Sequence, residues 1–192
     1  MAGQPEILRR SNVWQGKRAG VDLMLVRLAD GAEVEKEVIV RGDAASVLPY
    51  DAERRCALVV RLFRAPVRAV TELTESEEAC AGMLDDGEAP DVAMQREAME
   101  EMGVRLATLE PVATAWPSPG ILTERLHLYL APYTPADRVA EGGGAPGEHE
   151  NITVVERPLA DLAADADAGR ILDGKLLVLV QTLRVRRPDL FA

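Results

Sequence analysis

Glu97, Glu100 and Glu101 lie close together in the segment between residues 81 and 104, and Arg96 comes directly before the first of them. Spacings of three and four residues place side chains on one side of an α-helix. Like charges placed in this way destabilise a helix by about a few tenths of a kcal/mol per pair, so a compensating partner is expected. Carboxylate oxygens suit hard divalent cations such as magnesium. The spacing alone favours a solvated acidic helix face and leaves a metal site as the alternative, so the wider pattern has to decide between them.

Both ends of the helix that would carry these glutamates can be identified. Pro90 suits the first helical turn, where its missing N–H costs nothing, and Gly103 suits a left-handed exit. The segment 90–102 is therefore predicted to be a helix.

The pattern around the glutamates extends beyond this helix. Gly82 is followed, after five residues, by Glu88; after seven more come Arg96-Glu97, then Glu100-Glu101, Gly103 and an apolar residue. Every defined position matches the Nudix box, so the chain resembles the Nudix hydrolases. The segments 61–64, 78–82, 118–120, 123–124, 142–144, 148–152 and 173–175 resemble the branch that contains ADP-ribose pyrophosphatases and GDP-mannose hydrolases.

The resemblance implies a metal site and its ligands. Magnesium would be bound by the carboxylates of Glu97 and Glu101, with manganese able to substitute for it. The carbonyl oxygen of Ala81 and the carboxylate of Glu150 would be further ligands. All four supply oxygen atoms, as magnesium prefers.

The resemblance also implies catalytic roles. Glu148 would be the general base, because a carboxylate can accept a proton from a metal-activated water. Glu100 would act close to the metal ligands, and Arg96 would hold the acidic helix in place. A solvated acidic loop is the alternative for Glu148.

A third group of residues is assigned to the substrate by the resemblance: Arg61, Arg64, Glu78, Ser118 and Glu124. Arginine suits this role because its planar guanidinium binds phosphate oxygens in a bidentate manner. Ordinary surface ion pairs are the alternative for the four charged residues. Ser118 is not expected to be a nucleophile, since no recognisable motif places a histidine beside it.

Hydrophobic patterns along the chain predict an α+β fold with two parts. Residues 20–28 and 34–40 read as two antiparallel strands joined by Asp30-Gly31, and a boundary near residue 44 separates an N-terminal β-sheet unit, 1–44, from a domain at 45–192. The second part mixes strand patterns with helix patterns, and the resemblance implies that it is a Nudix α/β/α sandwich. A new apolar series begins with 45–48 and 57–63. Predicted strands are 70–73, 104–114, 126–130 and 152–155; predicted helices are 90–102, 159–168 and 175–185.

The glycine-rich segment 134–151 separates two of these patterns. It contains Gly142 to Gly144 and little apolar content, so it is interpreted as a long mobile loop. The triple glycine is expected to give this loop freedom to move.

Composition restricts the partners. The net charge of −10 argues against binding a nucleic-acid backbone, which needs a basic face. No apolar run is long enough to span a membrane. Cys56 and Cys80 lie in apolar stretches and are expected to be free core thiols. We therefore expect a cytoplasmic protein that binds neither nucleic acid nor membrane.

Three functions remain open. The resemblance implies magnesium-dependent cleavage of a nucleotide sugar, with GDP-mannose giving GMP and mannose 1-phosphate, or ADP-ribose giving AMP and ribose 5-phosphate. A Nudix-fold ligand sensor without turnover is the third. The resemblance also implies a homodimer, with the N-terminal unit swapped between subunits. A small sheet is marginally stable alone, which independently favours a partner surface.

Overall fold

The computed structural model describes residues 3–145 and 151–192 of the chain. Glu148 and Glu150 lie outside the described residues. The chain divides into two compact units, Met1–Asp43 with Ala115–Leu126, and Ala44–Thr114 with His127–Ala192. The first unit thus includes Ala115–Leu126, a segment that the sequence predicts to belong to the second domain.

The first unit is built around a three-stranded antiparallel sheet. Its strands are β1 (Glu6–Gln15), β2 (Gly20–Arg27) and β3 (Glu33–Val40), in the order β1-β2-β3. Residues 115–126 join the free edge of β3, where the N–H of Ile39 donates to the carbonyl oxygen of Ile121 at 2.8 Å.

Strand β1 was not predicted from the sequence. Nine of its ten residues are exposed, and no alternation of polar and apolar residues marks it. Backbone pairing with β2 attaches it, and side chains add to this, because Arg10 and Asn12 both donate hydrogen bonds to Asp22, which is buried in β2. These hydrogen bonds, Asn12 first, hold the pKa of the Asp22 carboxyl below its usual range.

Within the described residues, the second unit contains a seven-stranded sheet and four α-helices. The strands are β4 (Ala44–Asp51), β5 (Cys56–Leu62), β6 (Ser76–Glu78), β7 (Cys80–Met83), β8 (Glu110–Ala115), β9 (Leu126–Pro132) and β10 (Thr153–Pro158). Five of them follow the order β10-β5-β4-β9-β8, with β6 beside β5 and β7 beside β4. The helices are α1 (Ala65–Val70), α2 (Pro90–Met102), α3 (Leu159–Asp167) and α4 (Gly174–Arg186). Together with the small sheet this confirms the predicted α+β class.

Strand β4 lies at the centre of the core. All eight of its residues are buried, and it contacts both α2 and α4. Because successive strand residues face opposite sides of a sheet, both faces of β4 are covered. On one face, Ala45 and Val47 pack with Met94 and Ala98 of α2.

The strand predicted at 70–73 is wrong. The short helix α1 occupies the preceding residues, and Val70 and Leu73 are 83% and 42% exposed. Their apolar character therefore does not reflect burial within the described chain.

Among the described helices, none has the length and apolar character that crossing a membrane requires.

Candidate active site

Helix α2 begins and ends where its sequence predicted. Pro90 occupies its first turn, and Gly103 ends it with φ of 64°. The N–H of Gly103 donates to the carbonyl oxygen of Met99 at 3.1 Å, and that of Val104 to Ala98 at 3.2 Å. A side chain at Gly103 would be strained in this left-handed conformation.

Glu101 and Glu97 extend from α2 toward adjacent residues of β7. The Glu101 side chain is buried, with the residue only 4% exposed, and its Oε2 atom accepts a hydrogen bond from the N–H of Ala81 at 3.3 Å. Glu97 packs over Gly82 so closely that a Cβ there would lie 1.9 Å from the Glu97 Cδ. A side chain at position 82 would therefore displace the carboxylate of Glu97 from its place against β7.

Arg96 lies between the acidic side chains and binds three of them. It donates to both oxygens of Glu88 at 3.1 and 3.0 Å, to Glu97 at 2.8 Å and to Glu100 at 3.3 Å. The hydrogen bonds from Arg96 lower the pKa of the Glu88 carboxyl, and those to Glu88 in turn raise the pKa of Arg96. Arg96 thereby offsets the repulsion among the glutamates.

The donor set fits a hard divalent cation in its chemistry. Two carboxylates, of Glu97 and Glu101, lie against β7 at Ala81 and Gly82, and carboxylate oxygens are ligands that magnesium prefers. Within residues 3–145 and 151–192, however, no three Asp, Glu, His or Cys side chains converge as a metal site. A further carboxylate ligand was predicted at Glu150, outside the described residues.

Arg64 and Glu78 form a bidentate ion pair, with both distances 2.9 Å. The ammonium of Lys175 lies 3.6 Å from the same carboxylate, and Glu78 is buried. Burial raises the pKa of the Glu78 carboxyl, but the hydrogen bonds from Arg64 and the nearby charges of Lys175 and Arg64 outweigh it and hold the pKa below its usual range.

Arg61 lies on the other face of the sheet. Across β5 and β6 it pairs with Glu77, whereas Glu78 pairs with Val60, and neighbouring positions face opposite sides. Its guanidinium donates to Glu77 at 2.9 and 2.8 Å. Glu77 also accepts from Arg157, so the structure joins Arg61 to a structural ion-pair network rather than to Glu78.

Ser118 and Glu124 belong to the first unit. The carbonyl oxygen of Ser118 accepts hydrogen bonds from the N–H groups of Ile121 and Leu122 at 3.1 and 2.9 Å, as in a turn. Glu124 is 7% exposed and pairs with Arg41 at 2.9 Å.

Two positions beside these clusters were not assigned a role from the sequence. Both carboxylate oxygens of Glu88 accept hydrogen bonds from Arg96. The fixed place of Glu88 in the Nudix box was the sequence signal that could have indicated this role. Asp173 accepts hydrogen bonds from the N–H groups of Ala79, Lys175 and Leu176, and so ties the start of α4 to the junction of β6 and β7. The Asp-Gly-Lys stretch at 173–175 contributes to the family resemblance, but the sequence did not indicate that Asp173 caps the start of α4.

The structure brings the box residues together where α2 packs against β7. Comparison with known protein families agrees with this arrangement. The Nudix domain family matches residues 40–175. The chain therefore belongs to the Nudix family, as its sequence pattern predicted.

Relatives within this family share most of the chain. A GDP-mannose pyrophosphatase of Cronobacter sakazakii is 39% identical over 157 residues, which cover 79% of this chain and 78% of the relative. The enzyme of that name from Pectobacterium atrosepticum is 38% identical over 156 residues, covering 79% and 77%. One from Escherichia coli O1:K1 is 34% identical over 152 residues, covering 79% and 78%.

Proposed function

We propose that this protein hydrolyses the pyrophosphate of a nucleotide sugar, with GDP-mannose as substrate and GMP and mannose 1-phosphate as products. The relatives that carry the name GDP-mannose pyrophosphatase cover 79% of the chain at 39% and 38% identity. The observation that carries the proposal is the convergence of Glu97 and Glu101 on Ala81 and Gly82, with Arg96 between the acidic groups. This arrangement supports a site for cations and, through them, for phosphates.

The proposed cofactor is magnesium, with manganese able to replace it. Glu97, Glu101 and the carbonyl oxygen of Ala81 would hold it, together with Glu150. When bound, a divalent cation neutralises charge on the pyrophosphate oxygens and promotes ionisation of water. Two carboxylates and a carbonyl from the protein match the oxygen preference of magnesium.

The remaining roles are assigned to side chains of this chain. Glu148 would accept a proton from the attacking water, and Glu100 would remain beside the ligands. Arg96 would keep the carboxylates of Glu97 and Glu100 in place, which its hydrogen bonds of 2.8 and 3.3 Å support.

Arg64 is the proposed phosphate-binding side chain. Its bidentate contact with Glu78 fixes the guanidinium, which lowers the entropy lost when it binds phosphate. Ser118 and Glu124 remain proposed substrate contacts in the first unit. Arg61 remains a weaker candidate, because its partner Glu77 belongs to a network of ion pairs.

We further propose a cytoplasmic homodimer. The apolar side chains of Ile7, Val13 and Trp14 on β1 are each more than half exposed, which favours a partner surface. Within the described residues, Cys56 and Cys80 are buried thiols that form no disulfide, which is compatible with a reducing compartment.

A phosphate-release assay coupled to a phosphatase tests the proposal. Purified protein is incubated with GDP-mannose, ADP-ribose and other nucleotide sugars, with magnesium or with a chelator. Magnesium-dependent cleavage with GDP-mannose as the preferred substrate is the expected result. Preference for ADP-ribose would replace the substrate and retain the chemistry, whereas no turnover on any compound would favour a ligand sensor.

A further inference from the structure

The glycine-rich segment lies directly against the end of α2. The N–H of Gly143 donates to the carbonyl oxygen of Glu101 at 2.8 Å, and the N–H of Gly144 donates to that of Glu100 at 3.1 Å. The last carbonyl groups of a helix have no partners within the helix itself. These glycines therefore cap the turn that carries two of the box glutamates.

A second set of hydrogen bonds lies just before the first. The N–H groups of Val139 and Ala140 donate to the carbonyl oxygen of Gly103, at 2.8 and 3.1 Å. Residues 139–144, called here the helix cap, thus contact α2 through four backbone hydrogen bonds, counting those of Gly143 and Gly144.

Glycine makes this close contact possible on both sides. A Cβ at Gly142 would lie 2.3 Å from the carbonyl oxygen of Glu101 and 2.7 Å from the carbonyl carbon of Met102. A Cβ at Gly103 would lie 2.2 Å from the carbonyl oxygen of Ala140. All these atoms belong to the backbone, so a side chain could fit only if α2 and the helix cap moved apart.

The triple glycine thus has a second use besides the freedom of movement expected of it. Gly142, Gly143 and Gly144 all have positive φ, of 77°, 115° and 97°, a conformation that glycine adopts without strain. In this conformation the chain passes close to the helix end, and its N–H groups point at the carbonyl oxygens of α2.

We propose that the helix cap is a positioning element for the metal-binding carboxylates and that Gly142 is the residue on which it depends. The proposal rests on the metal assignment made under Proposed function. Glu100 and Glu101 are both the residues whose carbonyl groups are capped and the residues whose carboxylates serve the site. Displacing their turn would move the buried carboxylate of Glu101 away from Ala81 and weaken cation binding.

Gly142→Ala tests this role, and Gly169→Ala is its matched control. Gly169 also has positive φ, of 67°, but nothing lies within 4 Å of a Cβ placed there, so its substitution adds strain without a clash. Mn²⁺ binding to the full chain without nucleotide is measured by electron paramagnetic resonance of the free ion. Circular dichroism verifies that each variant is folded.

We expect Gly142→Ala to weaken Mn²⁺ binding by about tenfold or more, as residues that orient metal ligands commonly do. Gly169→Ala should stay within about twofold of the wild type, since a Cβ at Gly169 has no atom within 4 Å to displace. A folded Gly142→Ala variant with the Mn²⁺ affinity of the wild type would overturn the cap's role alone. Absence of both Mn²⁺ binding and magnesium-dependent turnover in the wild type would defeat the proposed function itself.

Amide hydrogen exchange of the wild type provides a measurement that requires no variant. Because Gly143 and Gly144 donate to carbonyl groups of α2, Mn²⁺ binding should slow exchange at their N–H groups together with those of the helix. Slower exchange in α2 with unchanged exchange at both glycines would overturn the proposal, even if Gly142→Ala did not fold.

Discussion

Glu101 combines two properties that are costly together: it is ionisable, and it is only 4% exposed. Burying a carboxylate is unfavourable unless hydrogen bonds or a cation stabilise its charge. The N–H of Ala81 supplies one hydrogen bond at 3.3 Å, and a bound cation would supply further stabilisation.

Glu101→Gln should therefore abolish most of the turnover while the protein stays folded. The change removes a ligand charge and preserves the side-chain volume, so we expect kcat to fall by more than about a hundredfold, beyond the usual cost of losing an outer partner. Glu72→Gln is the control, because its side chain is 95% exposed. Wild-type rates for Glu101→Gln at saturating magnesium would rule out the metal assignment.

Glu78 gives a prediction for the pH dependence of stability. Its pKa is held below the usual 4.5, so its ionised form stabilises the fold above the pKa of the unfolded chain, and that contribution is lost as the pH falls through the lowered value. The difference in Tm between wild type and Glu78→Gln should be large near pH 7 and should narrow below about pH 4. Thermal unfolding at several pH values measures it; a difference independent of pH would contradict the prediction.

The sequence predicted which residues belong to the candidate site better than it predicted the contacts that those residues make. Fixed spacing identified Gly82, Arg96 and the glutamates, because the box is local in sequence. The partner of Arg61 could not be predicted, since Glu77 reaches it only through the pairing of β5 with β6. Such a contact depends on the register between two paired strands, which cannot be read from the residues near Arg61 in the sequence.

Among the elements, α2 was predicted with its correct bounds because both ends carry backbone signals, Pro90 and Gly103. Helix α3 and helix α4 were predicted to within one residue at each end. Strand β1 was missed, because its stability comes from pairing with β2 and from the contacts of Asp22 rather than from burial of its own side chains. Helix α1 and strands β6 and β7 were missed as well, because each has six residues or fewer and is too short to show a period. Local patterns thus predicted the longer elements that bury a face and missed those that are exposed or short.

Asp173 links two elements and should be important for stability. Asp173→Ala removes the acceptor for the first N–H groups of α4 and leaves the buried N–H of Ala79 without this partner. We expect the free energy of unfolding to fall by about 2 kcal/mol, the sum of a lost cap and an unpaired N–H. Urea denaturation measures the change.

Asp173→Asn provides the matched comparison, since the amide oxygen can still accept hydrogen bonds. Most of the stability should be retained in this variant. An equal loss in both variants would show that the charge beside Lys175, 2.8 Å away, matters more than the cap.

The molecule as a whole is predicted to be a dimer, with a mass in solution of twice 20.8 kDa. Trp14→Asp should shift the protein toward monomer, because it places a charge on the exposed apolar surface of β1. Val185→Asp is the control, since Val185 is 82% exposed on α4. Light scattering after size-exclusion chromatography distinguishes the states, and a wild-type monomer with full activity would refute the dimer.

The attachment of residues 115–126 to β3 also determines when the first unit can be completed during synthesis. Its three strands are neighbours in sequence and can pair as soon as they leave the ribosome. Thr123, however, binds the backbone of Arg41 from 82 residues farther along the chain. Until that part is translated, the backbone groups of β3 remain an open strand edge. A nascent chain halted before residue 115 would therefore present this edge to chaperones and proteases.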